Sequence, residues 1–389
     1  MGSGTAASCN QIASGTGCTY TNDRFNNPNS AIYFNNGYLK IPSGLYLTGD
    51  FTVTFWLQIK LYKKCAHIFE FGNEFNIIRF QLKNNNRLLA CIHTETHSLL
   101  SSINGADLKS NVWYHLALVL RANKGYIYIN GNKIVESQLN IPENITTTEN
   151  YIGGGDETGK LNPNAIYDDL KIYEGAMKST EIRDDFLQTR VQLTNYWPMS
   201  TLNDLVGKSN LYGGSNYSFV SDRFDNPNSA LYFNNGYLQV QPGVFFDDDF
   251  TVTLWLQLKS YENWTNLFEF GSNNNKVYLQ IIHSQLVAGI NFLSSSSQIE
   301  TLPIIELSVW YHLAFVLENQ TGFIYVDGNQ IAFNKLNKPM YVNRRVNKIG
   351  DFNTRTNIIY DDLKIYQGAM LPEQILDDCN KNKNPCKYI

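Results

Sequence analysis

DRFNNPNSAIYFNNGYLKIPSGLYLTGDFTVTFWLQ, residues 23–58, returns as DRFDNPNSALYFNNGYLQVQPGVFFDDDFTVTLWLQ at residues 222–257, with about two-thirds of positions identical. The match continues in order. IFEFG (Ile68–Gly72) pairs with LFEFG (Leu267–Gly271), VWYHLALVL from Val112 with VWYHLAFVL from Val309, GYIYINGN from Gly125 with GFIYVDGN from Gly322, and AIYDDLKIYEGAM from Ala165 with IIYDDLKIYQGAM from Ile358. A period near 197 residues is too long for a solenoid or propeller unit, so a whole domain has been duplicated. The sequence predicts a first domain over 1–189, a second over 190–379 and a short tail over 380–389.

Each copy reads as β-structure. Phe51, Val53, Phe55 and Leu57 alternate with Thr52, Thr54, Trp56 and Gln58, the period-2 signature of a strand with one face in a core. Asn-Gly between YIYI and KIV is a hairpin turn signal. Many short strands at hairpin spacing predict antiparallel sandwiches. The exception is a helix over Ser179–Gln188, with Ser179 as its cap, echoed after Pro372.

Of the 389 residues 43% are apolar and 17% charged, with 24 Tyr and 22 Phe, which excludes a disordered chain. Thirty-one basic residues against 35 acidic ones, with no basic run, argue against nucleic acid as a partner. No apolar stretch reaches membrane-helix length, so membrane insertion is not expected, and Met1–Gln11 has no leader-like basic and apolar regions.

YFNNGYL, FTVTFWLQ, WYHLALV, YINGNKI and above all IYDDLKIYEGAM followed by a short acidic helix resemble, in this order, the laminin G-like domains of the concanavalin A-like class. The resemblance implies an all-β fold, two antiparallel jelly-roll β-sandwiches in tandem. It also implies an extracellular recognition or adhesion protein, part of a larger modular chain, binding a glycan or an extracellular protein. Copy 2 has a family-like opening, NYWPMSTLNDLVGKSNLYGG from Asn195, with no counterpart in copy 1, whose residues 1–21 are atypical. Domain 2 is therefore expected to be the better formed.

The paired acids Asp168 and Asp169, repeated as Asp361 and Asp362, are the main site candidates. Alternation puts Asp168 on one face with Leu170 and Ile172, where an unpaired carboxylate would be costly. Its partner is either Ca²⁺, with Asp23, Asn29, Asp168 and Asp169 as donors and Asp222, Asn228, Asp361 and Asp362 as their copies, or an arginine, Arg24 in copy 1 and Arg223 in copy 2. The resemblance gives the calcium a structural role. The sequence leaves both open.

Catalysis is not expected. Glycan hydrolysis needs two carboxylates across a cleft, and of Glu70 and Glu74 copy 2 keeps only Glu269, so Glu70 and Glu269 read as structural or rim groups. A glycan-active enzyme or its accessory module, and a purely structural spacer, stand as alternatives. His115 and His312 read as core histidines. Sugar stacking on exposed aromatics is a further possibility, with Trp264 in a loop as one candidate. Proximity pairs the six cysteines as Cys9–Cys18, Cys65–Cys91 and Cys379–Cys386. With sequons at Asn144, Asn216, Asn263 and Asn319, they point to an extracellular compartment.

Overall fold

The structure is a computed structural model that describes residues 15–381 apart from 64, 74–75, 84–86, 95–96, 102–107, 156–159, 261–262, 273 and 352–356. The chain divides into two compact units, Met1–Thr189 and Arg190–Ile389. Both are almost entirely antiparallel β-structure, as the fold class read from the sequence predicts.

Unit 1 runs β1 (Gly15–Thr21), β2 (Ala31–Ile41), β3 (Phe51–Leu61), β4 (Cys65–Gly72), β5 (Ile77–Lys83), β6 (Arg87–His93) and β7 (His97–Ser101). It continues through β8 (Trp113–Arg121), β9 (Lys124–Ile129), β10 (Asn132–Gln138), β11 (Glu149–Gly153), β12 (Asn164–Glu174) and α1 (Ser179–Arg190). The strand order is β10-β9-β8-β3-β12-β2-β11-β4-β5-β6-β7, with β1 also on β2. The sheet curls until β10 meets β7, and the apolar alternation closes a core of Phe34, Phe55, Phe69, Phe80, Leu118 and Ile127. The Asn-Gly signal is honoured: Asn130 and Gly131, at φ 50° and 74°, make the β9–β10 turn.

Unit 2 adds β13 (Gln192–Trp197), β14 (Leu211–Val220), β15 (Ala230–Val240), β16 (Phe250–Leu258), β17 (Trp264–Phe270) and β18 (Val277–Ile282). It ends with β19 (Gln285–Phe292), β20 (Ser295–Glu300), β21 (Trp310–Glu318), β22 (Thr321–Val326), β23 (Asn329–Lys335), β24 (Asn347–Gly350), β25 (Asn357–Gln367) and α2 (Pro372–Lys381). Its order, β20-β19-β18-β17-β24-β15-β25-β16-β21-β22-β23, repeats that of unit 1, and β13 pairs with the exposed side of β25. Among the described residues of unit 1, no strand takes the place of β13 on β12.

Each helix lies on the side of the sheet that faces away from the core. That is why Thr52, Thr54 and Trp56 are buried although they alternate with core residues: α1 covers them, with Phe186 5.8 Å from the Trp56 ring. Ser179 is the first helical residue and not the cap. Glu181 reaches back to the Lys178 N–H, Gln374 does the same for Leu371, and the Ser179 hydroxyl is 3.0 Å from Tyr128 Oη.

Candidate functional site

The paired acids are gathered by arginine. In unit 1 the loop after β1 presents Arg24, whose Nη1 donates to Asp168, Nη2 to Asp169 at 2.7 Å and Nε to the Thr189 carbonyl at 2.9 Å. Its guanidinium lies 4.9 Å over the Trp56 ring and 4.5 Å over Phe25. Unit 2 repeats this with Arg223 on Asp361 and, at 2.7 Å, on Asp362, over Trp255 at 4.8 Å and Phe224 at 4.5 Å.

Simple alternation would send neighbouring aspartates to opposite faces, and here it misleads. Asp169 and Asp362 take left-handed backbone, φ 47° and 49°, and the β12–β3 register slips between Asp168 and Lys171. This bulge turns both carboxylates toward one arginine. Asp168 consequently pairs with Trp56 on the helix-covered face, whereas Ile172 pairs with Val53 on the core face; the expectation that Asp168 shares a face with Ile172 fails for this reason.

Calcium does not fit this arrangement. It needs six to eight oxygens, and both Asp23 oxygens are already taken: Oδ1 accepts the N–H groups of Phe25 (2.8 Å) and Asn27 (2.9 Å), and Oδ2 the Asn27 amide (2.9 Å). Asp222 repeats this with Phe224 and Asn226. Asn29 and Asn228 are exposed turn residues at φ 57°. A guanidinium stands where the cation would sit, and no group of acidic, His or Cys ligands with metal-holding geometry occurs among the described residues. Burial pushes Asp361 up to about 7 against the pull of Arg223, with Asp362 and Asp222 adding to the rise, and burial raises Asp168 in the same direction. Desolvation, which outweighs the pull of the one arginine, sets this sign, and the second acid adds to it.

A second repeated cluster ties each helix to its sheet. His115 Nε2 lies 3.0 Å from Asp185 Oδ2, and Lys171 Nζ donates to Oδ1 at 2.6 Å. His312, Asp378 and Lys364 repeat it at 3.2 and 2.7 Å. Burial opposes ionisation of Asp185 and Asp378, but the His and Lys bonds outweigh it and hold both well below the usual carboxylate range. Both imidazoles are buried, and each ties its helix to the sheet.

The third constellation is a polar strip on the sheet face opposite the core. Register aligns Lys40, Tyr151, Glu70, Arg79 and Cys91 across β2, β11, β4, β5 and β6. In unit 2 the row is Gln239, Lys348, Glu269, Tyr278, Gly289 and Gln298. Two residues along β2 and β15, half-buried Tyr38 and Tyr237 flank it; the Tyr38 ring meets Tyr151 edge-on at 5.4 Å, and Lys348 Nζ lies 5.9 Å from the Tyr237 ring. Burial works to raise Glu70, yet Arg79 Nε at 2.5 Å and His67 Nδ1 at 3.1 Å lower it. Glu269 accepts from Lys276 at 3.0 Å. Sequence reading missed Asp351, which accepts from the Asn266 amide at 3.4 Å, the same nitrogen that lies 3.5 Å from Glu269. Its counterpart in copy 1 is a glycine, so repetition gave no signal.

The Cys65–Cys91 pairing is overturned. β5 runs between them, and Cys65 is opposite Lys83 while Cys91 is opposite Arg79. Two strand spacings and four residues amount to about 16 Å, beyond the ~7 Å a disulfide spans. The Cys65 thiol instead lies 3.5 Å from Gln81 Oε1. Cys18 and Cys379 are buried, and their expected partners Cys9 and Cys386 lie outside the described residues. The sequon residues Asn144, Asn216, Asn263 and Asn319 are all exposed. Trp264 is exposed too, but opens β17 and is not in a loop.

A family model described as the concanavalin A-like lectin/glucanases superfamily (Laminin_G_3) matches residues 34–183 and 233–376. No curated protein matches the chain. Among solved structures, domain 4 of AbnA, a GH43 extracellular arabinanase from Geobacillus stearothermophilus, in complex with arabinotriose, is 19% identical with a TM-score of 0.40, covering 48% of this chain and 98% of that one. Domains LG4-5 of the mouse laminin alpha1 chain are 12% identical with a TM-score of 0.31, covering 95% and 94%. Trypanosoma rangeli sialidase is 12% identical with a TM-score of 0.38, covering 81% of this chain and 62% of its own.

Proposed function

The chain belongs to the Laminin_G_3 family of the concanavalin A-like lectin/glucanases superfamily, and from that premise we propose that it is a non-catalytic extracellular recognition protein that binds glycans through the polar strip of each unit. The observation that carries this reading is the repeated strip itself, a carboxylate bonded to a cation, Glu70 to Arg79 and Glu269 to Lys276, with half-buried Tyr38 or Tyr237 two residues along the strand at its end. Such a face offers a ring for the apolar side of a sugar and fixed polar groups for its hydroxyls. Exposure of all four sequon asparagines supports an extracellular setting. Arg79 holds Glu70 down, the opposite of what a general acid in glycoside hydrolysis requires.

Two tethered weak sites gain affinity together. In a glycan-array screen of the whole chain followed by titration of the hits, Tyr38→Ala and Tyr237→Ala singly weaken binding several-fold, and together by about 10²-fold. Absence of binding, or binding indifferent to both changes, sinks the reading. One observation favours a second reading, hydrolysis in unit 2 alone: Glu269 and Asp351 flank the Asn266 amide. It requires turnover of a glycan that Glu269→Gln abolishes.

A further inference from the structure

We propose that the outer edge of β12 in unit 1 is a strand-acceptor site that takes an extended peptide segment from a partner polypeptide, seated antiparallel as β13 is seated on β25. The repeat supplies the comparison. In unit 2, Leu193, Asn195, Tyr196 and Trp197 pair with Tyr366, Ile365, Lys364 and Leu363. Trp197 enters the core, and Leu363 and Ile365 are each 1% exposed. In unit 1 the same positions, Leu170 and Ile172, are 36% and 40% exposed, and none of the described strands pairs with that side of Leu170–Glu174.

The sequences of the two edges, DDLKIYE and DDLKIYQ, differ only at the last residue. Among the described residues, an edge written for a partner strand therefore has no strand on it, and two aliphatic side chains lie exposed beside it. Strand addition fills the edge and covers them, main-chain bonds giving affinity and alternate side chains giving selectivity.

The unit 2 register defines the chemistry of the occupant. Opposite Leu170 it places a large aromatic, as Trp197 stands opposite Leu363. Opposite Lys171 it places a tyrosine able to reach Asp169, as Tyr196 Oη donates to Asp362 at 2.5 Å. The acceptor is ready: the Asp169 side chain is 42% exposed, against 15% for Asp362. The segment that fits is thus an alternating strand ending in Tyr-Trp.

The test uses the whole chain and the synthetic peptide QLTNYWP, the sequence of Gln192–Pro198, with hydrogen exchange and a binding titration as readouts. Saturable binding is expected, with slowed exchange confined to residues 170–174 in unit 1. Binding should fall at least tenfold for Leu170→Lys, a change at an exposed position that leaves the fold intact by circular dichroism, and for a peptide N-methylated on the pairing amides. No binding up to millimolar peptide overturns the proposal, as does binding indifferent to both changes. Protection of residues 170–174 before peptide is added means that the chain fills its own edge, and also overturns it. Self-association lost on Leu170→Lys would assign the edge to a second copy instead.

Discussion

Unit 1 and unit 2 carry nearly the same strands in the same order, yet one buries the aliphatic edge of its last strand and the other exposes it. Among the described residues, the difference lies in one six-residue strand, Gln192–Trp197, and the loop that follows it. There Asp204 accepts N–H groups from Tyr196, Val206, Gly207 and Ser209, and Trp197 Nε1 donates to the Ser209 carbonyl. A segment outside the repeat thereby decides whether residues inside it act as core or as surface.

Removing the Trp197 side chain should break the comparison most sharply. Trp197→Ala is expected to cost unit 2 about 3–5 kcal/mol and leave unit 1 unchanged, read as selective loss of one transition in a calorimetric scan of the whole chain. Next in size, Arg223→Ala strands two acids in a buried site, at about 3 kcal/mol. Arg24→Ala is expected to cost less, because water reaches Asp169 more easily than Asp362; equal losses would show that the added strand does not seal the clamp.

The third prediction concerns pH. Folding raises Asp361 from 3.8 to about 7, so the folded state holds a proton the unfolded state has released. The associated stability is complete below about pH 4 and is lost as pH rises through 7. Asp249, raised by burial to about 6, acts with the same sign. The unit 2 midpoint should therefore fall by several degrees between pH 5 and pH 8, and Asp361→Asn should flatten the slope. Tyr196→Phe removes a bond to a carboxylate, about 1–2 kcal/mol, and should bring the behaviour of Asp362 closer to that of Asp169. The smallest expected effect is none: calcium should move neither midpoint, and a rise abolished by Asp361→Ala would restore the metal site.

The repeat, the strands and the helices are legible, because each is written as alternation, turn chemistry or duplication; the arginine opposite the aspartates is one of two partners that the sequence leaves open. The Asp-Asp bulge is not legible: left-handed backbone at an aspartate is a local choice that period-2 reading cannot register, so Asp168 was assigned to the wrong face. Cys65 and Cys91 misled because sequence proximity says nothing of the strand that separates them. Asp351 stayed hidden because it reaches the Asn266 amide only through the folding of β24 against β17.

Thr189 closes unit 1 with two bonds, from Arg24 Nε to its carbonyl and from Trp56 Nε1 to its hydroxyl, both 2.9 Å. Pulling on the chain where it leaves the unit therefore loads Arg24 and Trp56 together with α1, and its yield under force follows the unfolding rate of the unit and not its equilibrium stability.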